Sequence, residues 1–204
     1  MEDFQIIKQI GDGAYSTVFS VSRKSDGRQY ALKQVSITIP SLTLFTGENI
    51  KTESQREGQL LERSAHFSVY SVSTYLNFKH YFRHPNVVSY KEAFFDEITN
   101  SLCVVMDFAE CGDLYNKIIE HKKNNSSFDE ADIWTAFVHM VRGLKTLHDR
   151  KILHRDLKSA NVFICKDGAF KLGDMNVSKI AQKDGLLHTQ TGTPYYASPE
   201  VWKD

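Results

Sequence analysis

The 204-residue sequence has only three cysteines, Cys103, Cys111 and Cys165, and no Cys-x-x-Cys spacing. That excludes a disulfide framework and a thiolate zinc site, and such sparse thiol use implies a reducing compartment, cytoplasm or nucleus. Net charge is also missing, because 25 basic residues balance 25 acidic ones. That balance gives no hint of an electrostatic footprint for nucleic acid or of a polybasic patch for a membrane. No apolar run approaches the length that spans a bilayer. The opening Met1-Glu2-Asp3-Phe4-Gln5 lacks the basic start and apolar stretch of a signal peptide. What remains is an ordinary globular composition, 41% hydrophobic and 25% charged, which excludes a disordered chain. The length has room for one large domain or two small lobes.

Apolar patterning predicts strands at the front of the chain: Phe4 to Ile10, Tyr15 to Val21 and Arg28 to Val35, with Asp26-Gly27 as a hairpin turn. Residues 36–83 have no steady period. A weak helix over Glu48 to Arg63 and a strand or loop over Phe67 to Phe82 are the only elements they suggest. Strands resume at Val87 to Phe95 and Leu102 to Phe108. Ser127-Phe128-Asp129-Glu130 fits a capping box, and Ile133, Phe137, Val141, Leu144 and His148 follow at helical spacing, predicting an apolar stripe that needs burial. Two short strands, Val162 to Cys165 and Ala169 to Leu172, flank an Asp167-Gly168 turn. No internal repeat is present.

Five stretches carry chemistry. Gly11-Asp12-Gly13-Ala14-Tyr15-Ser16-Thr17-Val18 is a glycine turn between strands, where backbone N–H groups can approach phosphate oxygens. A strand follows it, not a helix, which removes a dinucleotide-binding reading. Ala31-Leu32-Lys33 puts a lysine on the next strand, where a returning hairpin would bring it near bound phosphates. His154-Arg155-Asp156-Leu157-Lys158-Ser159-Ala160-Asn161 gathers an acid, a lysine and an amide in a loop after a long helix. Lys171-Leu172-Gly173-Asp174 adds a second carboxylate, and Thr191-Gly192-Thr193-Pro194-Tyr195-Tyr196-Ala197-Ser198-Pro199-Glu200 ends the series.

In this order, the glycine loop, A-x-K, H-R-D-L-K-x-x-N, G-D and P-E resemble the protein kinase signature. His84-Pro85-Asn86-Val87-Val88-Ser89-Tyr90-Lys91-Glu92-Ala93-Phe94 and Gly192 to Tyr196 resemble the NIMA-related serine/threonine kinases within it. The resemblance covers residues 4–35 and 84–202. It implies an α+β, two-lobed kinase fold over 4–204: a small β-rich N-lobe over 4–106, with 36–83 as an atypical segment, and an incomplete helical C-lobe over 110–204. It implies ATP and Mg²⁺ as cofactors and a protein Ser or Thr as the acceptor. By the same resemblance, Gly11, Gly13 and Val18 would cover the nucleotide, and Val18 and Ala31 would sandwich adenine. Met106 would be the gatekeeper, Asp107 to Ala109 the hinge and Phe163 the floor of the adenine site. Lys33 would hold the α/β-phosphates, Asp156 would orient and deprotonate the hydroxyl, Lys158 would neutralise the moving phosphoryl, and Asn161 and Asp174 would hold the metal. Thr189 and Thr191 lie where the family places its activating phosphate, with Arg155 as its guanidinium partner. A cytoplasmic or nuclear protein, in some family members tied to the cytoskeleton, is the expectation.

The sequence departs from the pattern in three places. Asp174-Met175-Asn176 stands for D-F-G, with Met175 expected in the aromatic slot and Asn176 tolerating positive φ. No acid for Lys33 stands out, Glu53, Glu57 and Glu62 being the candidates. The chain ends at Asp204, so we expect a truncated large lobe and an arginine partner for Glu200 that is lacking. An ATP-binding pseudokinase or inactive scaffold is the alternative these departures raise, and a small-molecule phosphotransferase is disfavoured by the Gly192 to Glu200 segment.

Overall fold

The structure, a computed structural model, describes residues 1–13, 16–36, 83–175, 179–180 and 193–199. Among these residues, 1–36 with 90–107 form one compact unit, and 83–89 with 108–199 form another.

The first unit is an antiparallel sheet of five strands in the order β1-β2-β3-β5-β4. They are β1 (Phe4–Gly13), β2 (Ser16–Arg23), β3 (Gln29–Ser36), β4 (Tyr90–Asp96) and β5 (Ser101–Asp107). The Asp26-Gly27 turn closes as expected. Gly27 adopts φ +65, its N–H donates to the Arg23 carbonyl, and the Asp26 carboxylate accepts from the Arg28 N–H. Alternation then sorts side chains onto two faces. Phe4, Val21, Tyr30, Leu32, Cys103 and Val105 pack into one core cluster. Each fully buried Leu or Val there stabilises the fold by about 1.5–3 kcal/mol. Arg23 closes one end of this core, with its guanidinium 4.5 Å from the Tyr30 ring centroid and ion-paired to Glu92.

The second unit holds α1 (Leu114–Lys123), α2 (Glu130–Asp149), β6 (Ile152–Leu153), a 3₁₀ turn over Ser159–Asn161, β7 (Val162–Ile164), β8 (Phe170–Leu172) and β9 (Lys179–Ile180). β7 pairs with β8, and β6 with β9. No described helix is long and apolar enough to cross a membrane.

Several sequence expectations need correction. α1 was not foreseen. Asp113 caps it, accepting from the Asn116 N–H at 2.8 Å, but the helix buries none of its residues, so it left no strong periodic trace. The capping box does not form: α2 begins at Glu130 with Asp129 at its cap and no side-chain cap bond. Upstream, Phe128 packs on His121 with ring centroids 4.1 Å apart, and the Ser126 N–H donates to the His121 carbonyl, which ties this stretch back to α1. The face of α2 that is buried carries Ala136, Gly143 and Leu147, whereas Ile133, Phe137 and Val141 are each about half exposed. Backbone proximity selects that face, since a Cβ on Gly143 would stand only 2.6 Å from the Asn86 carbonyl oxygen.

The strand expected from Val87 starts only at Tyr90. Val87 instead bridges Leu172 in parallel, and the Val88 N–H donates to the Leu172 carbonyl at 2.8 Å. Asn86 completes this clamp: its carbonyl accepts from the Leu172 N–H, and its buried side-chain amide donates to the Phe170 carbonyl at 3.0 Å. The weak helix and the strand or loop expected within 36–83 lie outside the described residues, as do Glu53, Glu57 and Glu62.

Candidate active site

In the sheet unit, register alone places the candidate residues. Gly11 pairs with Val18, Val18 with Lys33, and Lys33 with Val104, so the four form one row across neighbouring strands. Ala31 pairs with Met106 one pleat away. Val18, Ala31, Lys33 and Met106 therefore share a sheet face, opposite the face of Tyr30 and Leu32 that joins the core cluster. Lys33 and Ala31 are both buried, on the central strand of the five. Asp107 ends β5, and its carboxylate ion-pairs with Lys91 at 2.6 Å. Gly11 and Gly13 have room for a methyl group, since the nearest atoms to an added Cβ lie at 3.5 Å.

In the second unit, hydrogen bonds between side chains do the placing. The stretch from Lys151 to Asp156 twists through two left-handed residues, Lys151 (φ +60) and Arg155 (φ +67). Between them His154 is buried. Its Nδ1 accepts from the Asp156 N–H at 3.4 Å, so its ring proton lies on Nε2 and donates to the Gly173 carbonyl at 3.0 Å. Burial holds His154 below the ordinary imidazole value, with the hydrogen bond to Gly173 opposing, so the ring is neutral near pH 7. Arg155 is lowered by burial but keeps its charge.

Asp156 is the hub. Its Oδ1 accepts from the Thr193 hydroxyl at 2.8 Å, and its Oδ2 accepts from Lys158 Nζ at 2.9 Å and Asn161 Nδ2 at 3.0 Å. Asn161 Nδ2 also donates to the Asp156 backbone carbonyl at 2.7 Å. Lys158 Nζ donates to Thr193 Oγ1 at 2.8 Å, which closes a ring of donors. Burial pushes the Asp156 carboxyl up, but the bonds from Lys158, Thr193 and Asn161 and the Lys158 charge outweigh it. The group is held below the usual carboxylate value.

The Asn161 carbonyl accepts from the Gly173 N–H at 3.0 Å, which fixes the next residue, Asp174, near the hub. Asp174 itself sits at φ +56. A Cβ on Gly173 would lie 2.8 Å from both Phe163 Cε2 and Val88 Cγ2, so this position requires glycine. Met175 is buried, in keeping with its expected place in the apolar slot. Ala109 accepts from the Gly112 N–H just before α1. Asn176, Thr189, Thr191 and Glu200 lie outside the described residues.

The structure thus brings together Asp156, Lys158, Asn161 and, through Gly173, Phe163 and Asp174. It separately brings together Gly11, Val18, Ala31, Lys33 and Met106. Sequence reasoning missed Thr193 as a member of the hub. Its only trace was its place between Gly192 and Pro194. The supporting roles of Gly173 and of the Asn86 clamp were missed as well. Among the described residues no cluster of three or more His, Cys, Asp or Glu side chains could hold a metal ion by itself.

The geometry is an acid hub on a His-Arg-Asp turn, backed by a β7–β8 hairpin and a glycine–aspartate pair. The family model for the protein kinase domain matches residues 72–204, and the chain belongs to that family. Its curated relatives include the serine/threonine-protein kinase Nek1 of Mus musculus, 38% identical over 98% of this chain and 14% of the relative. Nek4 of Mus musculus is 32% identical over 97% of this chain and 22% of its own length, and Nek5 of Homo sapiens 32% over 98% and 25%. The chain therefore spans about a quarter or less of these relatives. The family match reaches back to residue 72, inside the stretch that the sequence reading had set apart as ending at 83.

Proposed function

We propose that this chain transfers the γ-phosphoryl group of ATP to a serine or threonine hydroxyl of a protein. The observation that carries this reading is the Asp156 carboxylate, held by Thr193, Lys158 and Asn161. A carboxylate depressed below its normal range stays ionised throughout neutral pH. It orients an acceptor hydroxyl and takes the proton only as the O–P bond forms, which suits a loose phosphoryl transition state. Lys158, touching the same carboxylate, would carry positive charge to the transferring oxygens.

Lys33 would bind the α/β-phosphates, and Gly11 and Gly13 would let the backbone close over them. Val18, Ala31, Met106, Asp107, Ala109 and Phe163 would hold adenine. Mg²⁺ fits the oxygen donors present, since this ion is usually held by one or two carboxylates plus phosphates. Asn161 spends its amide nitrogen on Asp156, which leaves its side-chain oxygen for a cation, and Asp174 supplies the carboxylate. When bound, the metal neutralises phosphate charge. Arg155 would answer a phosphate on Thr189 or Thr191, Thr189 being preferred for its position three residues before Gly192 in the sequence. A cytoplasmic or nuclear setting follows from the thiol usage.

The test is phosphate transfer from Mg·ATP to a generic protein substrate, with phosphoamino-acid analysis. We expect phosphoserine or phosphothreonine, and a loss of about 10²–10⁴-fold in Asp156→Asn. Predominant phosphotyrosine, or full activity in Asp156→Asn, would overturn the assignment.

A further inference from the structure

Two residues of the segment that returns to the hub touch the His154 to Asn161 loop. The Thr193 hydroxyl donates to Asp156 and accepts from Lys158 Nζ, both at 2.8 Å. Three residues on, the Tyr196 phenol shares a hydrogen bond of 3.2 Å with the Ser159 hydroxyl, in which either group can donate. The two contacts have one geometric origin. Pro194–Tyr196 form a 3₁₀ turn, and the Tyr196 N–H donates to the Thr193 carbonyl at 3.0 Å. Side chains three apart on such a turn eclipse each other, so Thr193 and Tyr196 face the same way and meet adjacent residues, Lys158 and Ser159. Ser159 is a fixed anchor, because it opens the other 3₁₀ turn. There the Asn161 N–H donates to the Lys158 carbonyl at 2.9 Å and the Val162 N–H to the Ser159 carbonyl. That turn also carries the Asn161 amide to Asp156. The Thr193 side chain is short, so its reach to Asp156 depends on where its backbone lies, and the Tyr196 contact fixes that backbone from the C-terminal side. Of the two neighbouring tyrosines, Tyr195 is 95% exposed and Tyr196 only 55%.

We propose that Ser159 and Tyr196 are positioning residues: their hydroxyl pair latches the Pro194–Tyr196 turn onto the loop and so holds the Thr193 hydroxyl on the Asp156 carboxylate. Both act through Thr193. The inference rests on the phosphate-transfer reading of Asp156 and adds what keeps the hub closed. The latch lies at the surface, so its loss leaves the fold intact and loosens the hub alone. One neutral hydrogen bond is worth about two- to tenfold in an equilibrium or a rate. Each partner is useless without the other, so the two side chains form one coupled unit.

The test measures phosphate transfer from Mg·ATP to a generic protein substrate, and hydrogen exchange of the residue 196 amide, in the full chain. The variants are Ser159→Ala, Tyr196→Phe and both together, each also in Thr193→Ala, with Tyr195→Phe as control. We expect each single change to lower kcat by about two- to tenfold, with KM for Mg·ATP and the melting temperature unchanged. The double variant should be no worse than either single one, and neither change should cost anything further in Thr193→Ala. The residue 196 amide should exchange about two- to tenfold faster in both single variants, and Tyr195→Phe should alter neither readout. Additive losses in the double variant, a further loss in Thr193→Ala, unchanged exchange, or an equal effect of Tyr195→Phe would overturn the proposal. A wild type that transfers no phosphate, while its residue 196 amide still exchanges faster in both variants, would sink the phosphate-transfer reading and leave the latch standing.

Discussion

The two groups of candidate residues, one in each unit, are positioned by different forces. In the sheet unit, Gly11, Val18 and Lys33 stand in one row because backbone hydrogen bonds fix the register of β1, β2 and β3. Their side chains contribute little to that placement. In the second unit, Asp156 is placed by side chains: Thr193, Lys158 and Asn161 all contact its carboxylate, across a turn that holds Arg155 at positive φ. A ladder tolerates changes in the residues it displays, because its bonds belong to the main chain. A side-chain network fails member by member, and each loss exposes a polar partner. Chemistry and stability should therefore separate in the sheet half and travel together in the loop half.

The sharpest way to break this comparison is to remove one charged group from each half. Lys33→Met and Asp156→Ala should each lower phosphate transfer by about 10²–10⁴-fold. Lys33→Met should shift the melting temperature less than Asp156→Ala, because the bonds that place position 33 belong to the main-chain ladder of β2, β3 and β5. Asp156→Ala should lower it, since Lys158, Asn161 and Thr193 lose their common acceptor. Equal melting shifts in the two variants would remove the distinction.

Glycines give the next contrast. Gly143→Ala and Gly173→Ala drive a Cβ to 2.6 Å and 2.8 Å from fixed neighbours, and should cost about 1–3 kcal/mol in chemical denaturation. Gly11→Ala meets nothing closer than 3.5 Å and should leave stability within about 0.5 kcal/mol, affecting nucleotide affinity alone. Thr193→Ala should reduce turnover by about tenfold through the lost bond to Asp156, a net of about 1.5 kcal/mol for a hydrogen bond to a charged group. Thr193→Ser keeps the hydroxyl and should restore most of it. Two unaffected variants would remove Thr193 from the hub.

Acidity tests the loop half through His154. Its folded value lies below 6.5, so on acidification the unfolded chain takes up the proton first. Stability contributed by the neutral ring is full above pH 6.5 and declines as pH falls below it, and His84, lowered mainly by burial, adds in the same direction. Side-chain NMR should give a His154 midpoint below 6.5. A midpoint above it would mean a charged ring and the opposite slope. The smallest effect belongs to the sheet: Ser20 is fully buried, and its hydroxyl has no hydrogen-bond partner among the described residues. Ser20→Ala should stabilise the protein by about 1 kcal/mol in urea titration. A loss of stability would mean that the hydroxyl is satisfied.

The sheet half was the more legible in the sequence. Period-2 alternation in Tyr30-Ala31-Leu32-Lys33 already separates the core face from the face of Lys33, and Asp26-Gly27 marks its turn. The chemical residues of the loop were legible as a string, His154 to Asn161. Their arrangement was not, because positive φ at Arg155 and the return of Thr193 from more than thirty residues away leave no local pattern. α1 was invisible because it buries none of its residues, and the buried face of α2 left no stripe because the contact there uses Gly143, which has no side chain to score. Asn86 read as a family marker, whereas its physical role, pairing with both Leu172 and Phe170, needs partners about 85 residues downstream.

That clamp also limits how the protein can be cut. Residues 83–89 lie in sequence just ahead of β4, yet they belong to the unit that begins again at 108. Neither unit is a continuous piece of chain. A fragment starting at 108 would strip Leu172 of both its backbone partners and leave Gly143 facing a groove where the Asn86 carbonyl should be. The halves of this kinase domain are therefore not modules to be exchanged or expressed at a single boundary, and a graft of the His154 to Asn161 loop into another scaffold must carry the His84-Pro85-Asn86 segment with it.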